Sequence, residues 1–474
     1  MRRLSTDSSQ KSSRKLSPGW VAWLVTVGLL ATAAIGTLPL ASAKDWLISN
    51  GEPTITNLPI DELQPGAGKA GLIGPDIFDE SKPASADAIK AAIEAVGPGE
   101  GTISAAAGDL NGDGLSYSNN SERALTPAST MKLMTSIGSL YKYSADARFT
   151  TSVIFDGATV TLKGGGDPLL ASSPDSHPYA KEIDLPNLAH LAADTAAGLK
   201  QRDATRVKLA FDDSLFSGPS WQPSWDDSYH QWVSQVSALA VDLGKPKEHS
   251  DQADPAMSAA LIFADQLRAN GIDVGDDVSR AEQPTGEAVA SVQSVPLFNI
   301  LERMNVHSDN YLAEVLFRQI ALASGQPGSF EGGASAQTTN LNELGLWSDG
   351  QAIHDGSGLS EDNKIATGNL VKGLQIAQHN PKIRPLLEVL PAAASTGTMA
   401  IRFADEASTA GRGVVRAKTG SLDRVSALAG YAPTRDGSLV AFALIGNDLP
   451  EDQDPRGWFD HVASSLAACN CAAG

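Results

Sequence analysis

The hydrophobic pattern opens with an uncharged run, Leu16 to Ala43, holding "WVAWLVTVGLLATAAIGTLPLA" and preceded by Arg2, Arg3, Lys11, Arg14 and Lys15. A basic stretch ahead of an apolar one reads as an export signal. The triplet Ala41, Ser42, Ala43 suits a cleavage site, and the length of the run equally suits a membrane anchor, which takes about 20 apolar residues. Residues 1–43 are therefore expected to be a signal peptide or anchor. Residues 44–85 are rich in Pro, Gly and charge without a sustained period, and read as a linker.

Regular patterning begins at Ala86. "ADAIKAAIEAV" has helical spacing, and "GTISAAAGDL" and "GLSYSN" read as strands joined through "NGDG" as a hairpin. Met131, Leu133, Met134, Ile137 and Leu140 recur with helical period behind Pro127, a residue suited to a helix start. Strand-like "RFTTSVIF", "ATVTLKGGG" and "RVKLAFDD" follow, with a helical piece from Leu185 to Leu199 and a tryptophan-bearing loop, "GPSWQPSWDDSYHQW". A second run of helices and strands starts near Ser294. This order predicts an α/β (α+β) protein with an antiparallel sheet flanked by helices. Its core is built from 86–158 and 291–474, with 159–290 as a mainly β inserted domain.

Composition narrows the function. The chain of 474 residues is 42% hydrophobic, enough for a large core, and its formal net charge is −19. Nucleic acid is excluded as a partner, because phosphates demand Lys and Arg. Cys469 and Cys471 cannot form a disulfide framework, and two thiols, free or paired locally on a loose tail, are expected. Asp109, Asn111, Asp113 and Gly114 match half of a calcium loop, but Asn120 stands where a bidentate Glu belongs, so a turn is expected and no metal site. Gly164, Gly165 and Gly166 precede no Lys-Ser/Thr and no helix, and are read as a turn. Trp221, Trp225 and Trp232 could stack on a sugar, although packing is the simpler reading.

One pattern carries chemistry. In "TPASTMKLMTS", Ser129 lies in the first turn of a helix and Lys132, three residues on, shares its face. A serine hydroxyl is a weak nucleophile and needs a base; a lysine serves only if burial or a second cation drives off its proton. Further along stand Ser308, Asp309 and Asn310 in "NVHSDNYLAEVLF", and Lys418, Thr419 and Gly420 in "VVRAKTGSLDRVSALAGYA".

These three motifs, S-x-x-K, S-x-N and K-T-G in that order, resemble those of the penicillin-recognising serine acyltransferases. The wide gap between the first two demands a domain between them, unlike the class A β-lactamases. With "GGGDPLL", "DDSLF", "VSALAVD", "HDGSGLS" and "AGYA", the chain is similar to the D-alanyl-D-alanine carboxypeptidase/endopeptidase family, the class C low-molecular-mass penicillin-binding proteins. The resemblance spans about residues 86 to 467. One departure is "LPAAASTGTM", where Ala394 takes the place of the family's first loop glycine.

The resemblance implies a penicillin-binding-protein/β-lactamase-like fold and a serine peptidase working on peptidoglycan stem peptides outside the cytoplasm, with β-lactams as inhibitors and no cofactor. Ser129 would attack the D-Ala-D-Ala carbonyl, Lys132 would take its proton, and Ser308 would relay a proton to the leaving amine. Asn310 would hold the acyl-side amide and contact Lys132. Lys418 would depress the pKa of Lys132 and attract the substrate carboxylate, bound by the hydroxyls of Thr419 and Ser421, with Gly420 between them. The backbone amides of Ser129 and Ser421 would form an oxyanion hole. Whether the terminal D-alanine or a cross-link is cut stays open, and the membrane is reached only through the N-terminal segment.

Other readings are a slow β-lactamase and a non-catalytic penicillin-binding wall protein. Neither Glu314, Glu331 nor Glu343 has Asn four residues on, as a glutamate-deacylating β-lactamase would require, and no G-x-S-x-G of a Ser-His-Asp hydrolase occurs. His307 is read as a loop residue.

Overall fold

Side chains on a strand alternate between faces, and strand β1 (Thr102–Asp109) shows what that does here: Ala106 packs into one hydrophobic cluster and its neighbours Ala105 and Ala107 into another. The computed structural model describes residues 82–249, 253–281, 283–450 and 456–473. The export segment at 1–43 and nearly all of the linker read at 44–85 lie outside the described residues. Among the described residues no helix is long and apolar enough to cross a membrane.

β1 pairs on one side with β2 (Tyr117–Asn119), the expected hairpin, and on the other with β10 (Leu439–Asn447). Beyond β10 come β9 (Val425–Pro433) and β8 (Arg416–Leu422), giving the order β2-β1-β10-β9-β8, antiparallel throughout. Two strands from the two ends of the chain thus meet at the centre of one sheet. Its inner residues are mostly alanines, among them Ala427, Ala429, Ala441 and Ala443, so helices approach closely on both faces. Helix α1 (Ala86–Glu94) and the last helix, α10 (Arg456–Ala468), cover the outer face with Phe442, Phe459 and Leu466.

On the inner face lie α2 (Met131–Lys142), α5 (Leu297–His307), α6 (Asn310–Ala323), α7 (Phe330–Glu343), α8 (Thr367–His379) and the short α9 (Pro385–Glu388). The helical stripe read on α2 is buried, with Met131, Leu133, Met134, Ile137 and Leu140 each at most 1% exposed. Full burial of such a side chain contributes about 1.5–3 kcal/mol. The opposite, polar face of α2 is buried as well, because α2 runs through the middle of the helical layer: Lys132, Thr135 and Ser136 are 0% exposed.

The second sheet has the order β6-β5-β4-β3-β7 and comprises β3 (Thr150–Phe155), β4 (Thr159–Lys163), β5 (Arg206–Asp212), β6 (Asp273–Arg280) and β7 (Glu287–Gln293). It opens ahead of the 159 taken from the sequence and closes past 290, since β3 and β7 pair with each other along its edge. Its strands β4, β5 and β6 run parallel. Such pairs need crossovers, which α3 (Leu188–Lys200) and α4 (Pro255–Ala269) provide. The insert therefore carries a helical layer beyond the mainly β composition expected.

The C-terminal tail is not loose. Cys469 and Cys471 form a disulfide, and Cys471 is fully buried. Ala472 bridges to Ala84 and its N–H donates to the Asp436 carboxylate at 2.7 Å.

The departure noted at Ala394 has a clear backbone form. Ala394 sits in the left-handed region at φ +54°, exposed, in a loop where its N–H reaches the Met399 carbonyl at 2.9 Å. That conformation costs a residue with a Cβ roughly 1–2 kcal/mol, partly offset by the freedom a glycine adds to the unfolded chain. Ala394→Gly is expected to stabilise the fold by about 0.5–1 kcal/mol, read as a raised urea midpoint at constant m-value; a lowered midpoint would show that the Cβ contributes packing.

Candidate active site

Pro127 (φ −84°, ψ −12°) precedes a 3-10 turn, Ala128–Thr130, that leads directly into α2. Ala128 adopts φ +45°, and the bend is fastened by the Thr130 hydroxyl, which donates to the Pro127 carbonyl at 2.7 Å. Ser129 is left half-buried at the edge of the turn. β8 lies against this turn, and only a glycine permits it: a Cβ on Gly420 would stand 2.7 Å from the Pro127 carbonyl oxygen.

One turn into the helix, the Lys132 amine is wholly buried and has three neighbours. Nζ lies 2.9 Å from Ser129 Oγ, 2.8 Å from Asn310 Oδ1 and 2.7 Å from the Ser357 carbonyl. Burial pushes its ammonium down from the ordinary lysine value to about 8, against the raising influence of Glu314, Asp355 and Asp309. A neutral amine has two N–H donors and one lone pair. Two of its neighbours are oxygens that can only accept, so the lone pair faces the one that can donate, the Ser129 hydroxyl.

Helix α5 ends at Ser308, which takes a left-handed conformation (φ 58°, ψ 37°) as its C-cap. Strain of this kind gathers at functional sites, and here it directs Ser308 Oγ to Lys418 Nζ at 2.9 Å. Helix α6 starts at once, capped by Asp309, whose carboxylate accepts from the Leu312 N–H at 3.0 Å and the Tyr179 hydroxyl at 2.8 Å. Its first residue, Asn310, meets Lys132 with its oxygen and donates from Nδ2 to the Trp232 carbonyl at 3.2 Å.

Lys418, on β8, is also fully buried, its Nζ also donating to the Thr419 carbonyl at 2.8 Å. The two buried ammonium groups repel each other, and each disfavours the charged form of the other. Lys418 is held well below the ordinary lysine value by burial first and by the Lys132 charge second, whereas Lys132 owes its shift to burial. Three carboxylates favour the Lys132 ammonium, and Lys418 meets a hydroxyl and a carbonyl instead.

Ser129, Ser308, Asn310 and Ser421 line one cleft of about 470 Å³, with Trp232 and Leu422 on its walls. Gly420 and Thr419 stand behind it: the Thr419 hydroxyl donates to Thr398 Oγ1 at 2.9 Å rather than into the cleft. Of the three tryptophans, Trp225 is buried and donates to Asp355 at 2.8 Å, and Trp221 packs edge-on to Trp225. Trp232 alone among them is 52% exposed, at the cleft. His307 closes α5 rather than lying in a loop, and its Nε2 is 3.1 Å from Glu182 Oε2.

Three residues have roles that the motifs do not assign, although Asp355 and Ser357 lie within "HDGSGLS". The Ser357 carbonyl acts through its backbone, which no side-chain pattern reveals. Asp355 organises the 355–360 loop by accepting from the Gly358 and Ser360 N–H groups at 2.8 and 2.6 Å. Glu314 accepts from Gly356 and Ser357. The available signal was a spacing: Asn310, Glu314 and Arg318 recur every four residues in an otherwise apolar helix, so they share one face.

The family model of the D-Ala-D-Ala carboxypeptidase 3 (S13) family matches residues 87–249 and 244–468. The chain is 32% identical to carboxypeptidase Rv3627c of Mycobacterium tuberculosis, over 87% of this chain and 90% of that protein. It is 30% identical to carboxypeptidase DacB of Mycolicibacterium smegmatis, over 98% of this chain and 99% of that one. Among solved structures, penicillin binding protein 4 (dacB) from Haemophilus influenzae superposes with a TM-score of 0.64 at 21% identity, covering 79% of this chain and 97% of its own. With the S-x-x-K, S-x-N and K-T-G residues gathered around one cleft, the chain is a member of the S13 family of D-Ala-D-Ala carboxypeptidases.

Proposed function

We propose that Ser129 is the nucleophile of this serine peptidase and Lys132 its general base. The observation that carries the reading is the 2.9 Å contact between Lys132 Nζ and Ser129 Oγ, made by an amine whose two other neighbours can only accept. Ser129 Oγ attacks the carbonyl carbon of the D-Ala-D-Ala bond as its proton passes to Lys132. Ser308 gives its hydroxyl proton to the departing amine and takes one from the Lys418 ammonium bonded to it; water then attacks the acyl carbonyl, its proton returning to Lys418 by the same route while the released Ser129 oxygen recovers the proton held by Lys132. Backbone N–H groups of Ser129 and Ser421 serve the developing oxyanion, each such donor contributing on the order of 3 kcal/mol to transition-state stability.

Lys418 supplies positive charge for the C-terminal carboxylate of the stem peptide. Ser421, exposed in the cleft, is the better placed of the two hydroxyls to bind it, since Thr419 is engaged by Thr398. Asn310 addresses the acyl-side amide. The substrate is a peptidoglycan stem peptide, cut at its terminal D-alanine or at a D-amino-acid cross-link, and a β-lactam acylates the same serine. The basic-then-apolar pattern of residues 1–43 supports work outside the cytoplasm, with that segment as export signal or membrane anchor. The catalytic unit in this reading is 86–158 and 291–474 less the edge strands β3 and β7, which complete the sheet of the insert, and the insert frames the cleft through Trp232.

Ser129→Ala is expected to abolish labelling by a fluorescent penicillin and release of D-alanine from a defined muropeptide; equal labelling of variant and parent would place the nucleophile elsewhere. Lys132→Ala is expected to slow acylation at least 100-fold, about the usual reach of general base catalysis, with a near-normal rate pointing to another base. Because Lys132 acts when neutral and its pKa lies at about 8, acylation rises with pH and levels off above that value. Each unit below it should cost about tenfold. A rate flat from pH 6 to 9 would contradict the assignment.

A further inference from the structure

Glu314 is a carboxylate with no place in the three motifs, yet it is 0% exposed and lies four residues along α6 from Asn310. Its oxygens accept the backbone N–H groups of Gly356 at 3.1 Å and Ser357 at 2.7 Å. The carbonyl of the same Ser357 accepts from Lys132 Nζ. Bonds from N–H to a carboxylate are shorter and stronger than neutral ones. A buried carboxylate is costly where nothing compensates it, so retaining one at this spot calls for a reason. The Thr135 hydroxyl holds the preceding carbonyl, that of Gly356, at 2.6 Å from the other side. The 355–358 segment is thus clamped between α2 and α6 with the Ser357 carbonyl turned to the amine.

We propose that Glu314 is a positioning residue for acylation: by gripping the Gly356 and Ser357 N–H groups it fixes the Ser357 carbonyl on one proton of the Lys132 amine, so that the amine lone pair is aimed at Ser129 Oγ. This rests on the assignment of Ser129 and Lys132 as nucleophile and base. With Asn310 at the top of the same helix face, α6 sets two of the three directions around the amine, one directly and one through the strap. An amine free to rotate would still be basic but would point its lone pair at Ser129 only part of the time.

Charge gives a second consequence. Lys132 is faced by Glu314 and Asp309 from α6, by Asp355 from the strap and by Lys418 from β8. Glu314 itself is faced by Lys132, Asp355 and, one turn on, Arg318; burial first and Asp355 second push its carboxyl up to about 8. Below that value the carboxyl is protonated as well as the amine, so over the acid limb Glu314 and a glutamine in its place carry the same charge.

The test measures acylation of the full chain by a reporter penicillin, separating the non-covalent Kd from the acylation rate constant between pH 5 and 9. Glu314→Gln keeps the size of the side chain but loses its charge and turns an N–H donor toward one of the two backbone N–H groups. Its plateau rate constant should fall on the order of 10- to 100-fold, with Kd unchanged within about twofold and the acid limb held within about half a unit. Glu314→Asp retains the charge and shortens the reach, so its rate constant should fall while the acid limb stays in place. A Gln variant with the parent's plateau rate constant would overturn the proposal, as would a loss carried by Kd in both variants. If the Gln variant fails to fold by circular dichroism, the division of the Asp variant's loss between rate constant and Kd decides. Failure of the Ser129 assignment shows separately, as labelling of Ser129→Ala, which retains Glu314.

Discussion

The site depends on an amine kept dry. Lys132 is on the helix that crosses the centre of the molecule, and its burial does two things at once: it destabilises the ammonium and it removes water as an alternative partner. With water gone, the hydrogen bonds of the amine must be made by protein, and each partner comes from a different element: Ser129 from the turn before α2, Asn310 from the start of α6, Ser357 from the 355–358 strap. The chemistry therefore sets a packing requirement on three segments far apart in sequence. Gly420 belongs to the same requirement from a fourth segment, since its lack of a side chain lets β8 lie on the Ser129 turn.

The two lysines divide the electrostatics unequally. Both are buried within one network, joined through residues 308 to 310, but only Lys132 is surrounded by carboxylates. Burial lowers both ammonium groups, and carboxylates oppose that lowering at Lys132. The aromatic loop takes part through backbone as much as through rings: the Trp232 carbonyl receives Asn310, while the indole of Trp225 ties the same loop to Asp355.

Most of the scaffold was legible because alternation and helical period are written in side chains. The hairpin of β1 and β2, the α2 stripe and the strands near 150, 160 and 206 all follow from them. The three motifs were legible because their residue types are chemically rare in combination. Illegible were features that reside in backbone or in distance. The Ser357 carbonyl has no residue type, and Glu314 sits in a run whose apolar neighbours drown its four-residue spacing. The hydrogen bond from Thr419 to Thr398 joins a strand to a turn that sequence cannot bring together. The insert was bounded too tightly at both ends because β3 and β7 look like any half-buried strand until their pairing is seen. The local pairing of Cys469 with Cys471 was among the expected outcomes, but the docking of the tail was not, because two cysteines say nothing of Ala84 and Asp436, the groups that hold it down.

The order β2-β1-β10-β9-β8 has a consequence in time as well as in space. A chain that emerges N-terminus first presents Ser129 and Lys132 early, then Ser308 and Asn310, and Lys418 only with its last strands. Until β9 and β10 arrive, β1 has no partner on its inner side and β8 has nothing to hold it against the Ser129 turn. An incomplete chain thus carries a serine without the setting that makes it reactive. The setting of Ser129 is complete only with the closing of the sheet by its last strands.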